Sequence, residues 1–204
     1  MVRDKKTHHD SIIEAATKEF MEYGFTDASM RRIASSAGMS ASGLYKHFPS
    51  KEEMFAELVE PTLQGFRDLY DQLAYQEFTA LEQEHKDALW EDSSTTAQML
   101  KYIYSHLQEF KLIILRSSGT RYENFVHECA EKEEKKTYEY IRRAEEKGFK
   151  VNRIDPEEFH LLVTTNLNAI IAAVEHDFTK EQAMHYAKTV EIFFASGWKS
   201  IMGI

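Results

Sequence analysis

Met30-Arg31-Arg32-Ile33-Ala34-Ser35-Ser36-Ala37-Gly38-Met39-Ser40-Ala41-Ser42-Gly43-Leu44-Tyr45-Lys46-His47-Phe48-Pro49-Ser50-Lys51-Glu52-Glu53 is the stretch whose punctuation decides the fold. Ser29, just before it, is placed to N-cap a short helix running to about Ala37, with Ile33 and Ala37 on the inner face. Gly38 breaks that helix, and Ser40 caps another over Ala41–His47 that turns Leu44 and Phe48 towards a core. Pro49 ends it, and Ser50-Lys51-Glu52-Glu53 has the form of a capping box opening a fourth helix. Upstream, Ile12, Ile13, Ala16, Phe20 and Tyr23 recur at helical spacing and predict a first helix over Thr7–Tyr23, closed by Gly24 as a left-handed cap. Two short helices joined by a glycine-containing turn and packed on a longer one make the helix-turn-helix plan.

The outer face of the third helix separates this unit from a bare three-helix core. Ser42, Gly43, Tyr45, Lys46 and His47 are small, aromatic or cationic there, while the apolar anchors point inward. Small residues let a helix approach a groove closely, and flanking donors grip phosphates. The helix N-termini at Ser29 and Ser50 are further phosphate candidates. Lys51 stands in the first turn of a helix, where the dipole disfavours a cation, so an external anion would give it a reason. Two plainer readings stand beside these: His47 as a cap of the third helix, and Tyr45 as a cover over the core edge.

Charge is divided along the chain. The net charge is −9 over 204 residues, yet residues 1–51 carry +2 and the remainder −11. A basic head on an acidic body lets one end approach phosphate while the other is repelled. The N-terminus MVRDKKTHHD lacks the apolar run of a signal peptide, and the longest apolar runs, Leu112–Leu115 and Ala169–Val174, are far short of the ~20 residues a membrane span needs. The single cysteine, Cys129, has no intramolecular partner, which suits a reducing, cytoplasmic setting. No membrane partner is expected.

The residues Ile12-Ile13-Glu14-Ala15-Ala16, Phe20, Tyr23-Gly24-Phe25, Met30-Arg31-Arg32-Ile33-Ala34, Ala37-Gly38-Met39-Ser40 and Gly43-Leu44-Tyr45-Lys46-His47-Phe48-Pro49-Ser50-Lys51-Glu52-Glu53-Met54 closely resemble the N-terminal domain of the TetR (tetracycline-repressor) family. Phe193-Phe194-Ala195-Ser196-Gly197-Trp198 and Gly119-Thr120-Arg121-Tyr122-Glu123-Asn124-Phe125 resemble segments of some members more weakly. The resemblance implies a homodimer that binds a double-stranded, palindromic DNA operator, usually as a repressor, and lets go when a small-molecule inducer enters the body. Matched by position, groove-reading residues fall on Arg31, Ala41, Ser42, Gly43, Tyr45 and Lys46, and phosphate-gripping ones on Ser29, Tyr45, His47 and Lys51, with Ser40 at the helix start. Ala41, Ser42 and Gly43 offer no bidentate base contact, so direct readout would rest on Arg31 and Lys46, with DNA shape supplying the rest.

The predicted class is all-α: a helix-turn-helix domain over 1–50 joined by a long helix to a ligand-binding and dimerisation bundle over 51–204. Met54, Leu58, Leu63, Phe66, Leu69, Tyr70 and Leu73 trace that long helix, with Pro61 as a kink or a break. Tyr75 to Asp92 reads as a helix end and mobile connection, and Ser93 or Ser94 as the cap of a helix carrying Met99, Leu100, Ile103, Leu107 and Phe110. Leu112–Arg116 reads as a short buried segment and Tyr122–Lys147 as a charged helix stopped by Gly148. Asp155-Pro156-Glu157-Glu158 is a strong helix start, and the helix to Glu175 is apolar nearly all round. Thr179 caps the last helix, which bears Met184, Ala187, Val190, Phe193, Phe194, Trp198 and Ile201. Pairing Pro156–Glu175 and Lys180–Ile201 with their symmetry mates would make a four-helix dimer interface; the alternative is that both simply fill an intramolecular core.

Met99, Tyr102, His106, Arg116, Tyr122, Phe125 and Asn166 place polar groups or aromatic rings among apolar ones and are the candidate ligand-binding residues, each open to a purely structural reading. No catalytic motif, glycine-rich phosphate loop or serine elbow is present, and no cofactor is implied. His127 and Cys129 lie two apart, which does not place them on one helix face, so no zinc site is expected there.

Overall fold

The computed structural model describes residues 2–83 and 94–203, and within them it is helical without strands. The helices are α1 (Val2–Asp27), α2 (Met30–Ser36), α3 (Ala41–His47), α4 (Lys51–Glu82), α5 (Ser94–Ser105), α6 (Leu107–Leu115), α7 (Phe125–Glu146), α8 (Pro156–Glu175) and α9 (Lys180–Met202). They gather into two compact units. The first comprises residues 1–64 with 106–123, and the second 65–105 with 124–204. A division after residue 50 groups the chain differently: α4 supplies residues to both units, and 106–123 belongs with the head.

In the first unit, Ile12, Ala16 and Phe20 of α1 and Ile33, Leu44, Met54, Phe55 and Val59 from later helices are almost wholly buried. Phe55 sits edge-on to Phe20 and Phe25, with centroids 5.2 and 5.6 Å away, so three rings knit α1 to α4. Gly24 takes a positive φ of 71°, but its ψ of 170° is not that of the expected left-handed cap, and helical turns resume beyond it to Asp27. The segment after α6 closes on this core: Phe25 N–H donates to the Arg116 carbonyl at 2.9 Å, and Thr26 Oγ1 donates to the Ser118 carbonyl at 3.1 Å.

Several boundaries differ from the sequence-based expectation. Pro61 neither ends α4 nor splits it; it stands on an exposed face of the continuous helix. Residues 75–82, expected as a helix end, continue α4, because Glu77 and Leu81 face inward and are buried. Asp92 and Ser93 lie outside the described residues. The helix expected to run from Met99 through Phe110 is two, divided at His106 (φ −130°, ψ 39°). Leu112–Arg116 is the end of α6, with Leu112 and Ile113 buried. The charged helix begins at Phe125 rather than Tyr122, which stays in the preceding turn.

The second unit has two apolar clusters. Ala130, Phe159, Val163, Trp198 and Met202 join α7, α8 and α9, and Leu81, Tyr140 and Ala144 join α4 to α7. Asp155 caps α8 by accepting from the Glu157 and Glu158 amides, and Thr179 with Gln182 forms a reciprocal capping box on α9. Between α4 and α7 runs a partly buried polar network. Lys136 Nζ lies 2.9 Å from both Glu77 Oε2 and Glu133 Oε1, and Tyr70 donates to Glu133 Oε2 at 2.8 Å. Burial, reinforced by Glu133, pushes the Tyr70 hydroxyl well above its usual range. Among the described residues no helix is long and apolar enough to cross a membrane.

Candidate nucleic-acid interface

α3 is short, and three devices hold it. Ser40 Oγ accepts from the Gly43 amide at 3.1 Å, Leu44 is fully buried, and Phe48 closes the far end into the core. A Cβ at Gly43 would stand 3.2 Å from Ser40 Oγ and 3.3 Å from Met39 Cε, so the cap itself favours glycine there. With Leu44 inward, Ser42, Tyr45, Lys46 and His47 are exposed and Ala41 and Gly43 half-exposed. Tyr45 leaves 49% of its surface open, which the core-cover reading does not account for.

Ser29, Arg31, Tyr45, Ser50 and Lys51 converge on one open concavity of about 610 Å³ between the N-termini of α2 and α4. Ser29 holds the N-cap position of α2 in extended backbone, yet its side chain makes no cap bond. Its amide donates instead to the buried Glu19 at 2.8 Å. Glu19 also accepts from Arg32 Nε at 2.7 Å, and that guanidinium lies over the Tyr23 ring. This clasp sets α2 on α1. Sequence reading missed it, because Glu19 looks like any solvated acid on a helix.

Lys51 has a local reason for its place. Its ammonium donates to the carbonyls of Thr26 and Ala28 at 2.9 and 3.1 Å and lies 4.6 Å above the Phe25 ring. It ties α4 to the α1–α2 connection and at the same time lines the concavity.

The candidate ligand residues fall in both units. His106, Arg116 and Tyr122 belong to the first. Tyr122 is buried, its ring tilted 5.9 Å from Phe55, and it donates to Glu60 Oε2 at 2.7 Å; burial, then that bond, raises its hydroxyl above the ordinary range. Arg116 Nε is buried there without a hydrogen-bond partner. Met99, Tyr102, Phe125 and Asn166 belong to the second unit. There Phe66 packs 6.0 Å from Tyr102 and 5.9 Å from Phe125. The Tyr102 hydroxyl occupies the space that a Cβ on Gly65 would need. Asn166 is half-buried on α8.

A capped third helix with an outward polar and cationic face, seated on a three-helix core, defines a helix-turn-helix DNA-binding protein. Residues 12–58 match the family model described as "Bacterial regulatory proteins, tetR family". The chain is 27% identical over 164 residues, 80% of each protein, to the uncharacterized HTH-type transcriptional regulator YhgD of Bacillus subtilis. It is 39% identical over 67 residues, 31% of this chain and 34% of the other, to the HTH-type transcriptional repressor KstR2 of Mycobacterium tuberculosis. The transcriptional regulator FadR of Bacillus subtilis, solved in complex with stearoyl-CoA, shares the fold at a TM-score of 0.59 and 14% identity, covering 93% of this chain and 98% of that one. Residues 12–58 thus form a helix-turn-helix domain of the TetR type, and the chain is similar to proteins named as transcriptional regulators.

Proposed function

We propose that this regulator is a homodimeric repressor that binds a palindromic operator through α3 and is released by a small molecule held in its second unit. The observation that carries the DNA reading is the exposure of Tyr45, Lys46 and His47 around a fully buried Leu44. Arg31 and Lys46 read base edges, while Ser29, Tyr45 and Lys51 grip phosphate at the concavity and His47 grips it from the exposed face of α3, with Ser40, Ala41, Ser42 and Gly43 allowing the close approach. Lys46→Ala is expected to weaken operator binding and to lower the slope of log K against log salt by about one unit. Fluorescence anisotropy with the operator DNA over a salt series tests this; unchanged affinity at low salt overturns the docking.

The dimer reading rests on apolar surface left open by α8 and α9. Leu161 is 65% exposed, Ile192 69% and Phe193 72%, too much greasy surface for a lone protomer to leave wet. Val190, Ala187 and Trp198, expected on the same stripe, are instead spent inside the protomer, and Phe194 packs against its core. The helix α9 therefore carries two apolar faces, and the outward one pairs with its symmetry mate over Pro156–Glu175 and Lys180–Ile201. Phe193→Glu should give monomers at micromolar concentration in sedimentation without loss of helicity.

Induction is assigned to Met99, Tyr102, Phe125 and Asn166. The FadR structure that shares this fold was solved with stearoyl-CoA, which supports a ligand carrying a long apolar chain. A ligand releases DNA only by binding the released state more tightly, and a swing from 1:99 to 99:1 needs about 5.5 kcal/mol. Since α4 is one helix whose first residue is Lys51, it is the route by which a change at residues 65–82 would reach the head. Asn166→Leu is expected to blunt induction and leave operator affinity intact; equal loss of both overturns the assignment.

A further inference from the structure

The cap of α2 is split between two helices. α9 shows the ordinary form, in which the Thr179 hydroxyl accepts from the Gln182 amide at 3.2 Å and the Gln182 side chain accepts from the Thr179 amide at 2.8 Å. In α2 the corresponding pair is Ser29 and Arg32, and an arginine side chain cannot accept. The Ser29 amide turns to α1 instead and donates to Glu19 Oε1 at 2.8 Å. The acceptor that a capping box carries on its own helix thus stands on another one. Ser29 has the extended backbone of an N-cap (φ −121°, ψ 118°), yet its hydroxyl makes no cap bond.

This arrangement keeps negative charge away from the concavity. The first turn of α2 holds no acid, whereas that of α4 holds Glu52 and Glu53. An acid in that turn would stand within one helical turn of Ser29 and Arg31, which line the concavity, and would repel phosphate there. Glu19 satisfies the amide while only 8% exposed, and Arg32 neutralises it. The Arg32 guanidinium donates to Glu19 Oε1 and to the Asp27 carbonyl, each at 2.7 Å, and lies 4.3 Å above the Tyr23 ring.

We propose that Glu19 is a positioning residue for DNA binding: it fixes the first turn of α2 so that the Ser29 hydroxyl donates to a phosphate and Arg31 is aimed at the groove. The inference rests on the roles assigned above to Ser29 and Arg31. Without the Glu19 carboxylate the Ser29 amide loses its acceptor and Arg32 loses its tether. The Ser29 hydroxyl is then one side-chain rotation from capping α2 in the ordinary way, by accepting from the amide two or three residues on. That rotation withdraws it from phosphate, and the loosened turn carries Arg31 with it.

The test uses the full chain and a fluorescent duplex that the wild type has selected from a random-sequence pool, with affinity read by anisotropy well below the Tm of every variant. Glu19→Met keeps the length of the side chain and removes the acceptor, and an apolar residue in that buried slot carries no desolvation penalty. It should weaken binding on the order of tenfold. Glu19→Gln, which keeps an acceptor oxygen, should recover most of the loss. A double-mutant cycle separates positioning from mere stability. Arg31→Ala should cost about tenfold in the wild type and about threefold or less in Glu19→Met, whereas Lys46→Ala on α3 should cost the same in both. A purely structural Glu19 would scale every affinity alike, and a reduced folded fraction cancels from these ratios. Wild-type affinity in Glu19→Met, no recovery in Glu19→Gln, or an equal cost of Arg31→Ala in both backgrounds overturns the inference; if Lys46→Ala still weakens binding, the DNA reading stands. A wild type that selects no duplex overturns that reading and this inference together.

Discussion

α3 in the first unit and α7 in the second are held in place by opposite means. The residues that set the limits of α3 lie within a few positions of it: Gly38 before, Ser40 as cap, Leu44 as anchor and Phe48 as plug, the last two seated in the core of the first unit. α7 depends on partners that arrive from distant parts of the chain: Glu77 and Tyr70 from α4, Phe159 and His160 from α8. Local devices are written in the sequence as punctuation. Distant ones are written only as residues of a suitable type, and the fold decides which of them meet.

The sharpest way to break the comparison is to remove a distant partner. Lys136→Ala would remove the cation beside Glu77, whose side chain is 7% exposed, and should cost about 3–5 kcal/mol in chemical denaturation. Replacing Glu77 and Lys136 together by leucine and methionine should recover much of that, since an apolar pair carries no desolvation penalty. A local device is worth less. Ser40→Ala should cost about 1 kcal/mol and weaken DNA binding, because the cap it removes sets the start of α3.

Reactivity separates the regions by another route. Burial pushes the Cys129 thiol on α7 up to about 12, so very little thiolate exists at pH 8. Alkylation should be at least tenfold slower in the folded protein than in the urea-unfolded chain, and an equal rate would show that this face of α7 is open. The smallest effect is electrostatic. Hydrogen bonds from Arg142 and Arg143 hold the Glu139 carboxyl down to about 2, against an ordinary 4.5. A depressed acid adds stability that is present above the ordinary value and lost as pH falls from 4.5 through 2. Because Glu139 sits on the surface of α7, Glu139→Gln should flatten the acid limb of the stability curve only slightly.

The contrast also explains what could be read beforehand. The limits of α3, the cap at Ser40, the stop at Gly38 and the starts of α8 and α9 were legible because each rests on residue types with one preferred backbone role. The Glu19–Ser29–Arg32 clasp was not, since nothing at Glu19 distinguishes a buried acceptor from a solvated acid. Lys51 was read for its charge, and its two carbonyl partners come from a connection more than twenty residues upstream. On α9 a single apolar stripe was expected and two were found, because burial inside the protomer and exposure outside it use the same residue types. His127 was weighed against Cys129, its neighbour in sequence, whereas the ring it meets belongs to another helix.

Gly65 bears on how this sequence can be altered. In a helix interior, replacing glycine by alanine is the standard stabilising edit, worth roughly 0.5–1 kcal/mol. Here the edit should backfire, because the new methyl group would land on the Tyr102 hydroxyl. Positions 65 and 102 are thus bound into one choice. A library that varies position 65 alone should keep glycine, whereas one that varies both should recover alanine at 65 together with phenylalanine or a smaller residue at 102.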